Sequence, residues 1–453
     1  MPSDKPQDSK CVSALEKASP APKPTFGGWE AAVGLTERWL ARSERVDTLL
    51  EGLPSALVGQ ERARAQQLFY GVVRWSSRLE SALAGLMARP PRTKVKAVLV
   101  VAGFELLEGG PALTAKVIHH AVEKAKTVCS AKEAGLVNAV ARKLALRLAE
   151  PPADVATEFA HPEWLVARWT QQFGTATTRK LLEWNQQPAP VYARWRKESP
   201  ASAVAGPMAD KPDFLAPTKW AGFYEVKPGK WDEIRRLAGA GALYVQDPST
   251  RLCIGLLAPQ PGEVILDACA APGGKSLFIA DTMKSGKVIA LDEPAEPGKP
   301  DIRLLRLKEN LARAPAGVEV AQVEADLRKV NTVFYRNLNL PESYDAVLLD
   351  APCSNTGVMR HRIDVKWRLQ DGDFARHAEA QLELLHAAAR LVRPGGRLVY
   401  STCSIDGQEN AQVIKAFFDS RAGGPFKLEQ SVQAYPWQDG HDGAGAFLLK
   451  KQA

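Results

Sequence analysis

The two halves of the chain differ in the spacing of their apolar residues. From about Tyr244 onward, short apolar runs alternate with longer segments in which apolar residues recur every three or four positions. This alternation predicts strands and helices in turn, and therefore an α/β domain built on a mostly parallel sheet. The predicted strands are residues 264–269, 287–292, 318–326, 344–350, 397–402 and 446–450, and the clearest predicted helices are residues 304–313 and 375–392.

Upstream, between about residues 29 and 150, the spacing of apolar residues is helical throughout. One stripe, predicted to lie on a single helix, consists of Leu68, Val72, Trp75, Leu79, Leu83 and Leu86. Further helical runs are residues 95–107, 115–128 and 136–148, with glycines and Pro111 between them. This pattern predicts a small all-α domain of five to seven helices.

Proline marks the clearest break in the chain, at Pro151 and Pro152, which predicts a domain boundary. A Trp-rich, weakly patterned stretch follows, and we expect it to form a small α+β module. The first residues are rich in Pro, Ser, Lys and Ala and lack the apolar core of a signal peptide, so a disordered tail is expected. The predicted organisation is a tail at 1–24, a helical domain at 25–150, a connecting α+β module at 151–240 and the sheet domain at 241–453.

Charge and cysteine usage narrow the functional class. Lys and Arg number 59 against 51 Asp and Glu, a net charge of +8, which favours a polyanionic partner such as RNA or DNA. The basic residues of the helical region are typical of a solvated face, and an RNA-contacting face is the alternative. The six cysteines contain no C-x-x-C pair, so neither a disulfide framework nor a metal site is expected. No apolar run approaches the length of a membrane span, so we expect a cytoplasmic protein without membrane contact.

Residues 263–275, Glu-Val-Ile-Leu-Asp-Ala-Cys-Ala-Ala-Pro-Gly-Gly-Lys, combine a buried strand, a glycine turn and the start of a helix. Doubly wound sheets hold a nucleotide-like ligand in this way, and Gly273 and Gly274 let the backbone approach it closely. The turn matches neither G-x-G-x-x-G nor the phosphate loop. It therefore predicts a compact ligand, with an ordinary strand-to-helix turn as the alternative.

Three predicted strands end in a carboxylate, namely Asp292, Asp326 and Asp350. An acid that ends the second strand is placed to accept hydrogen bonds from both ribose hydroxyls. Any one of the three could instead cap a helix or a turn, and for Asp326 the two interpretations are equally good. Because the turn lacks phosphate-binding basic residues, S-adenosylmethionine fits better than NAD or ATP.

Two cysteines leave the carboxyl ends of successive predicted strands, Cys353 in Asp-Ala-Pro-Cys-Ser and Cys403 in Ser-Thr-Cys-Ser. One helical crossover joins these strands, so they should be adjacent and parallel, with both thiols on facing loops. Either cysteine alone would be an ordinary small apolar residue. Together, and with Asp350 three residues before Cys353, they predict a catalytic pair.

Methylation of cytosine at carbon 5 requires such a pair. A thiolate that adds to carbon 6 converts the ring into an enamine whose carbon 5 can accept a methyl group. Asp350, if protonated, could donate a hydrogen bond to N3 and lower the cost of addition. A second cysteine can assist the later loss of the carbon 5 proton. The base must also leave its stack, which favours exposed or single-stranded RNA.

At these residues the sequence resembles the Sun-domain (Nol/Nop/Sun) family of RNA cytosine-C5 methyltransferases. The matching stretches are residues 245–247, 269–275, 350–357, 364–367 and 401–404, with Glu409 and Asn410. Residues 68–74 and 135–142 resemble the NusB-like helical domain in the branch of this family that acts on small-subunit ribosomal RNA. Residues 161–164 resemble the start of that branch's connecting region.

The resemblance implies a Rossmann-like methyltransferase domain, with a mostly parallel seven-stranded sheet, after an all-α NusB-like domain. It implies that Cys403 is the nucleophile, that Cys353 helps release the product and that Asp350 lies near the base. The implied residues for S-adenosylmethionine are Cys269, Ala270, Ala271, Pro272, Gly273, Gly274, Lys275, Asp292, Asp326 and Asp350. Lys366 and Trp367 would contribute to an RNA-facing wall. The implied partner is small-subunit ribosomal RNA, free or partly assembled, bound by a monomer without a metal.

Three departures from the family pattern stand out: Ala193-Arg194-Trp195 in the connecting module, Arg362-Ile363 before Asp364, and an insertion-like segment at 294–300. None of them touches the cysteines. Two alternatives remain open: the same chemistry on a transfer RNA or another ribosomal cytosine, and an RNA-binding assembly factor. A dinucleotide-dependent oxidoreductase is disfavoured by the absent G-x-G-x-x-G.

Overall fold

The structure, a computed structural model, describes residues 27–42, 44–196, 211–299, 301–330 and 332–453. The predicted tail at 1–24 lies outside these residues. The chain divides into two units: one contains the chain up to residue 69 together with residues 89–141, and the other contains residues 70–88 and 142–453. The boundaries at residues 69–70 and 141–142 fall inside helices, and the one at residues 88–89 lies between two helices. The predicted domain boundary at residue 150 stays a prediction.

The N-terminal region is all-α, as predicted. Its helices are α1 (Gly28–Arg42), α2 (Val46–Glu51), α3 (Gly59–Arg74), α4 (Ser76–Leu83), α5 (Thr93–Val128) and α6 (Ala131–Ala149). The prediction that one helix carries the whole stripe from Leu68 to Leu86 is wrong. Trp75 has φ −103° and ψ 14°, so α3 ends before it and α4 begins after it.

Helix α5 joins two predicted helices across Gly110, whose backbone is non-helical (φ 62°, ψ −168°) and which Pro111 follows. By length and composition this helix could span a membrane, contrary to the expectation from the sequence. Its apolar residues are buried inside the first unit, however, from Val95 to Leu106. In the same unit Trp29 Nε1 donates to Glu105 Oε2 at 2.8 Å. Helix α5 is therefore the core helix of this unit.

The connecting region is the predicted α+β module. Its elements are α7 (Val155–Glu158), α8 (Glu163–Phe173), α9 (Thr175–Gln186), β1 (Tyr192–Trp195), β2 (Leu215–Pro217), β3 (Phe223–Val226), α10 (Trp231–Gly239) and β4 (Leu243–Val245). The strands form an antiparallel sheet in the order β2-β3-β1-β4. Because β4 belongs to this sheet, the module extends a few residues past the predicted boundary at 240.

The C-terminal region is the predicted α/β domain. Its elements are α11 (Thr250–Leu257), β5 (Val264–Ala268), α12 (Gly274–Thr282), β6 (Gly286–Asp292), α13 (Ile302–Leu311), β7 (Val318–Glu324), α14 (Thr332–Asn337), β8 (Tyr344–Asp350), α15 (Val365–Arg368), α16 (Asp373–Arg390), β9 (Val392–Thr402), α17 (Ala411–Phe418), β10 (Phe426–Ala434), α18 (Pro436–Asp439) and β11 (Ala444–Lys451). All six predicted strands are present. Strand β10 was missed because most of its residues are exposed, which leaves no apolar run to detect.

The order of this sheet is β10-β11-β9-β8-β5-β6-β7, and only β11 runs antiparallel to the other six strands. The chain runs outward from β5 to β7 and then returns to β8 on the other side of β5. Ligands of open α/β sheets bind at the carboxyl ends of the strands where the order reverses in this way. The fold therefore puts a ligand crevice at the ends of β5 and β8, next to the loops that carry the glycine turn and Cys353.

Buried arginines tie the small sheet to helix α12. Arg194 and Arg196, on and just after β1, donate to the Asp281 carboxylate at 2.6 to 2.8 Å. All three side chains are at most 4% exposed. The departure from the family pattern at Arg194 therefore concerns an internal ion pair, since this side chain has no surface for RNA.

Candidate active site

The two cysteines meet at the carboxyl ends of β8 and β9. These strands pair in parallel, with Asp350 opposite Ser401. Each strand then leads into a loop, and the two loops face each other. Cys353 Sγ and Cys403 Sγ lie 3.2 Å apart, within hydrogen-bond distance for sulfur. Cys353 is buried and Cys403 is partly exposed. The predicted meeting of the two thiols is confirmed, and Cys403 is the one that a ligand can reach.

The two thiols have different surroundings. The hydrogen bond to Cys403, burial and the nearby negative charges raise the pKa of Cys353 well above the usual value for a thiol. The Cys403 thiol donates to Asn355 Oδ1 at 3.3 Å, which orients that side chain. Cys403 is therefore the more accessible thiol, and Cys353 is the one whose charged form is disfavoured.

The glycine turn follows β5 and leads into α12. Gly273 adopts φ 98°, and a Cβ there would lie 2.9 Å from Leu307, so this position requires glycine. Asn310 Nδ2 donates to Pro272 O at 2.7 Å and holds the turn against α13. The N–H groups at the start of α12 consequently point out of the sheet edge, where they favour an acceptor or an anionic group.

A buried carboxylate lies below this turn, and one of its oxygens has no hydrogen-bond donor among the described residues. Asp267 is 0% exposed, and Ser276 Oγ donates to its Oδ2 at 2.5 Å. Its Oδ1 finds no hydrogen-bond partner among the described residues. Burial raises the pKa of Asp267 to about 7. An unpaired buried oxygen is costly in a finished core and is typical of a site that receives a ligand donor.

Asp292 ends β6 beside the turn. It is 6% exposed, and its Oδ2 accepts the Ala271 N–H at 2.7 Å. Its Oδ1 lies 3.9 Å from Arg303 Nη1. Burial raises the pKa of this carboxyl group. The residue thus stands where the ribose interpretation needs it, while the insertion-like residues 294–299 that follow form an exposed loop.

Asp326 fits the alternative interpretation in this structure. Its Oδ1 accepts the Arg328 N–H at 3.0 Å, which is the contact of a turn cap, and it also pairs with the Arg328 guanidinium at 2.8 Å. The hydrogen bond from Arg328 lowers the pKa of the carboxyl group. Its predicted contact with the cofactor stays a prediction.

Asp350 pairs with a lysine of the glycine turn. Lys275 Nζ donates to Asp350 Oδ2 at 2.7 Å, and both side chains are partly exposed. Burial opposes the charge of Lys275, but Asp350 and the nearby cysteines outweigh this effect and raise its pKa. Asp350 therefore faces the ammonium group of Lys275, and its expected role as a protonated donor to N3 of the base stays a prediction.

Lys366 and Trp367 do not form a surface. Lys366 is 2% exposed, and its Nζ donates to Arg74 O at 2.9 Å. Burial lowers its pKa well below the usual value for lysine. Trp367 is half-buried, and its Nε1 donates to Val73 O at 2.7 Å. The prediction of an RNA-facing wall is wrong for Lys366, and both residues instead anchor the chain at residues 73–74 within the second unit.

One group of potential metal ligands was not recognised in the sequence, since its members are far apart along the chain: Asp247, His361 and Asp442. His361 Nδ1 lies 3.0 Å from Asp442 Oδ1, and its Nε2 lies 3.2 Å from Pro190 O. Both ring nitrogens therefore face oxygen acceptors. Burial opposes the charged form of His361, but Asp442 outweighs this effect and raises the pKa of His361 to about 9. In this structure His361 and Asp442 form an ion pair, with the Asp247 carboxylate close to both.

The sheet order, the glycine turn after β5 and the acid that ends β6 together define a Rossmann-like S-adenosylmethionine-dependent methyltransferase. Residues 269–275 and Asp292 fit this cofactor and would hold it. Residues 254–442 match the family model of the 16S rRNA methyltransferase RsmB/F, and residues 30–146 match that of the NusB family. The chain belongs to the RsmB/F family of 16S rRNA methyltransferases.

Relatives support this assignment over almost the whole chain. The ribosomal RNA small subunit methyltransferase B of Vibrio cholerae is 31% identical over 429 residues, which cover 89% of this chain and 94% of that protein. The protein of the same description from Salmonella agona is 32% identical over 444 residues, which cover 92% and 97%. The solved structure of PH0851 shares the fold, with a TM-score of 0.73 at 21% identity over 94% of this chain and 99% of that one.

Proposed function

We propose that this protein methylates carbon 5 of a cytosine in small-subunit ribosomal RNA, through a covalent bond between Cys403 and carbon 6. The observation that carries the proposal is the 3.2 Å contact between Cys353 Sγ and Cys403 Sγ at the ends of adjacent parallel strands. Cytosine chemistry needs a nucleophile and a second group that handles a proton, and this pair supplies both. The substrate follows from membership of the family and from the relatives' names.

The unequal environments of the two thiols support their different roles. Cys403 is partly exposed and can form the thiolate, so it is the group that adds to carbon 6 and pushes an electron pair onto carbon 5. When bound, S-adenosylmethionine supplies the methyl group that carbon 5 accepts. Lys275, paired with Asp350, is the ammonium group that we place beside the ring as a hydrogen-bond donor.

Release of the product depends on Cys353. Its Sγ lies 3.2 Å from Cys403 Sγ, so it stands next to the ring once Cys403 has formed its bond to carbon 6. We assign to the Cys353 thiolate the removal of the proton from carbon 5, which converts Cys353 to the thiol. The electron pair of that C–H bond restores the double bond between carbons 5 and 6, and Cys403 leaves as a thiolate.

The test is to trap the adduct. Cys353→Ala protein is incubated with S-adenosylmethionine and small-subunit RNA and analysed by denaturing electrophoresis. We expect an RNA–protein adduct that forms with this variant and is absent from the Cys353→Ala/Cys403→Ala double variant. The crosslinked nucleotide identifies the base. An adduct that survives removal of Cys403 would refute its role as nucleophile.

The same assay separates the alternatives. An adduct with transfer RNA but not with small-subunit RNA would keep the chemistry and change the substrate. An RNA-binding assembly factor would instead bind RNA and show neither adduct nor methyl transfer, even with the cofactor bound.

A further inference from the structure

A single buried carboxylate touches the loops of both cysteines. Glu409, in the segment between β9 and α17, is 0% exposed. Its Oε1 accepts the Ser354 N–H at 2.8 Å and Gln381 Nε2 at 3.1 Å. Its Oε2 accepts the Ser404 hydroxyl at 2.6 Å and the Ser354 hydroxyl. Each carboxylate oxygen therefore has two donors, and the group is fully satisfied without water.

The two serine donors are the sequence neighbours of the two cysteines. Ser354 directly follows Cys353, and Ser404 directly follows Cys403. The carboxylate thus joins the two loops one residue beyond each thiol. The two serine hydroxyls also lie 3.3 Å apart, and Thr356 Oγ1 lies 3.4 Å from one and 3.1 Å from the other. Glu409 adds a charged acceptor to these neutral contacts and is the group that also accepts the Ser354 N–H.

Glu409 is itself held on two sides. Tyr400 Oη, on β9, donates to the Glu409 carbonyl at 2.6 Å. Gln381, on α16, donates from the same Nε2 to Glu409 and to Pro352 O, the latter at 2.9 Å. Pro352 precedes Cys353, so the loop that carries Cys353 is fixed on both sides of the thiol. Buried, fully connected polar networks of this kind select one arrangement of the chain.

We infer that Glu409 is a positioning residue that sets the contact between the two thiols and so the aim of Cys403 at the base. The inference rests on the proposed function, because it gives Glu409 a positioning role in the same active site. Glu409 touches neither substrate nor cofactor and acts only through the two serines. Displacement of a reacting group by about 1 Å can cost on the order of 100-fold in rate, so the effect should be measurable.

Two substitutions separate geometry from charge. Glu409→Gln keeps an acceptor for the Ser354 N–H and offers an amide to hydroxyls that can turn to accept it, so the loops stay joined while the charge is lost. Glu409→Ala removes both the hydrogen-bond link between the loops and the charge. The matched control is Asp281→Asn, which alters an equally buried carboxylate, 0% exposed and bound to Arg194 and Arg196 rather than to the cysteine loops.

Three measurements are made on the full-length protein: S-adenosylmethionine affinity by calorimetry, single-turnover methyl transfer to small-subunit RNA, and the pH dependence of iodoacetamide reaction at each cysteine by peptide mass spectrometry. We expect Glu409→Ala to slow methyl transfer on the order of 100-fold with cofactor affinity within about twofold. Glu409→Gln should lose less activity. It should also let Cys353 react at lower pH, since the Glu409 charge is one cause of the raised Cys353 pKa. Asp281→Asn should leave both pH profiles unchanged.

A wild-type rate and wild-type pH profiles in both Glu409 variants would overturn the inference. So would an equal change of the cysteine profiles in Asp281→Asn, since that would make the effect one of general stability. If Glu409→Ala fails to fold, Ser404→Ala tests the same link, because it removes only the hydroxyl that donates to Glu409 Oε2, and it should also slow methyl transfer. The alkylation readout needs no RNA. If the wild-type protein transfers no methyl group while the Glu409→Gln profile shifts as expected, the proposed function fails and the aiming role fails with it, while the charge effect of Glu409 on Cys353 stands.

Discussion

Replacement of Asp281 by Asn should destabilise the second unit strongly. The Asp281 carboxylate accepts three hydrogen bonds from Arg194 and Arg196, at 2.7, 2.8 and 2.6 Å. The two arginine side chains are 4% and 1% exposed, so water cannot replace the lost partner. Removal of one partner from a buried ion pair costs about 3–5 kcal/mol, because the other charges stay buried and unpaired. We expect a loss of that size in the free energy of unfolding.

Urea unfolding, followed by tryptophan fluorescence, measures this change from the shift in the transition midpoint at a constant slope. Asp232→Asn is the matched control. Asp232 pairs with Arg235, but these side chains are 85% and 67% exposed, so the loss should stay below about 1 kcal/mol. A loss below about 1 kcal/mol for Asp281→Asn as well would refute the conclusion that this ion pair holds the small sheet to α12.

The remaining predictions concern the cofactor, the nucleophile and pH. Asp292→Ala should weaken S-adenosylmethionine binding about 10- to 100-fold, the value of one or two charged hydrogen bonds, and unchanged affinity by calorimetry would remove it from the ribose site. Cys403→Ala should abolish methyl transfer to small-subunit RNA while cofactor affinity is kept, and appreciable residual transfer would show another nucleophile. The folded-state pKa of His361, about 9, lies above its unfolded value of about 6.5. Its contribution to stability is therefore complete below pH 6.5 and lost as the pH rises through 9, so urea unfolding should show a steeper loss of stability in this range for the wild type than for His361→Asn. Equal slopes would mean that His361 is not charged in the folded protein.

The apolar and polar pattern of the sequence predicted those features that depend on residues close together in the chain. Buried parallel strands are continuous apolar runs, so β5, β6, β8 and β9 were recognised with their carboxyl ends close to the observed ones. Strand β9 begins at Val392, however, before the predicted start at residue 397. Because successive strands end at one edge of such a sheet, the glycine turn, Asp292 and the two cysteines were placed at a common site. The exposed strand β10 offered no such run and was missed.

Side-chain environment did not follow from the pattern. Lys366 is a charged residue in a family motif, and the resemblance implied a surface position for it, but its side chain is buried and its ammonium group donates to a backbone carbonyl. Likewise the ion pair between Asp350 and Lys275 was not evident from the sequence. The stripe through Trp75 has helical spacing, yet the backbone turns there, since spacing describes which face is apolar and does not show where a helix breaks.

The sequence by itself determined the class of the fold, the cofactor turn and the pair of cysteines. Strand ends, glycine turns and motifs are each formed by residues adjacent in the sequence, so they can be recognised there. Only the tertiary structure decided which thiol is buried, which acids are paired, and that Glu409 joins the loops of Cys353 and Cys403. These properties depend on distances between residues far apart in the chain, as between Ser354 and Glu409, and on the exclusion of water around them. These distances and the exclusion of water arise only when the sheet and its loops have packed.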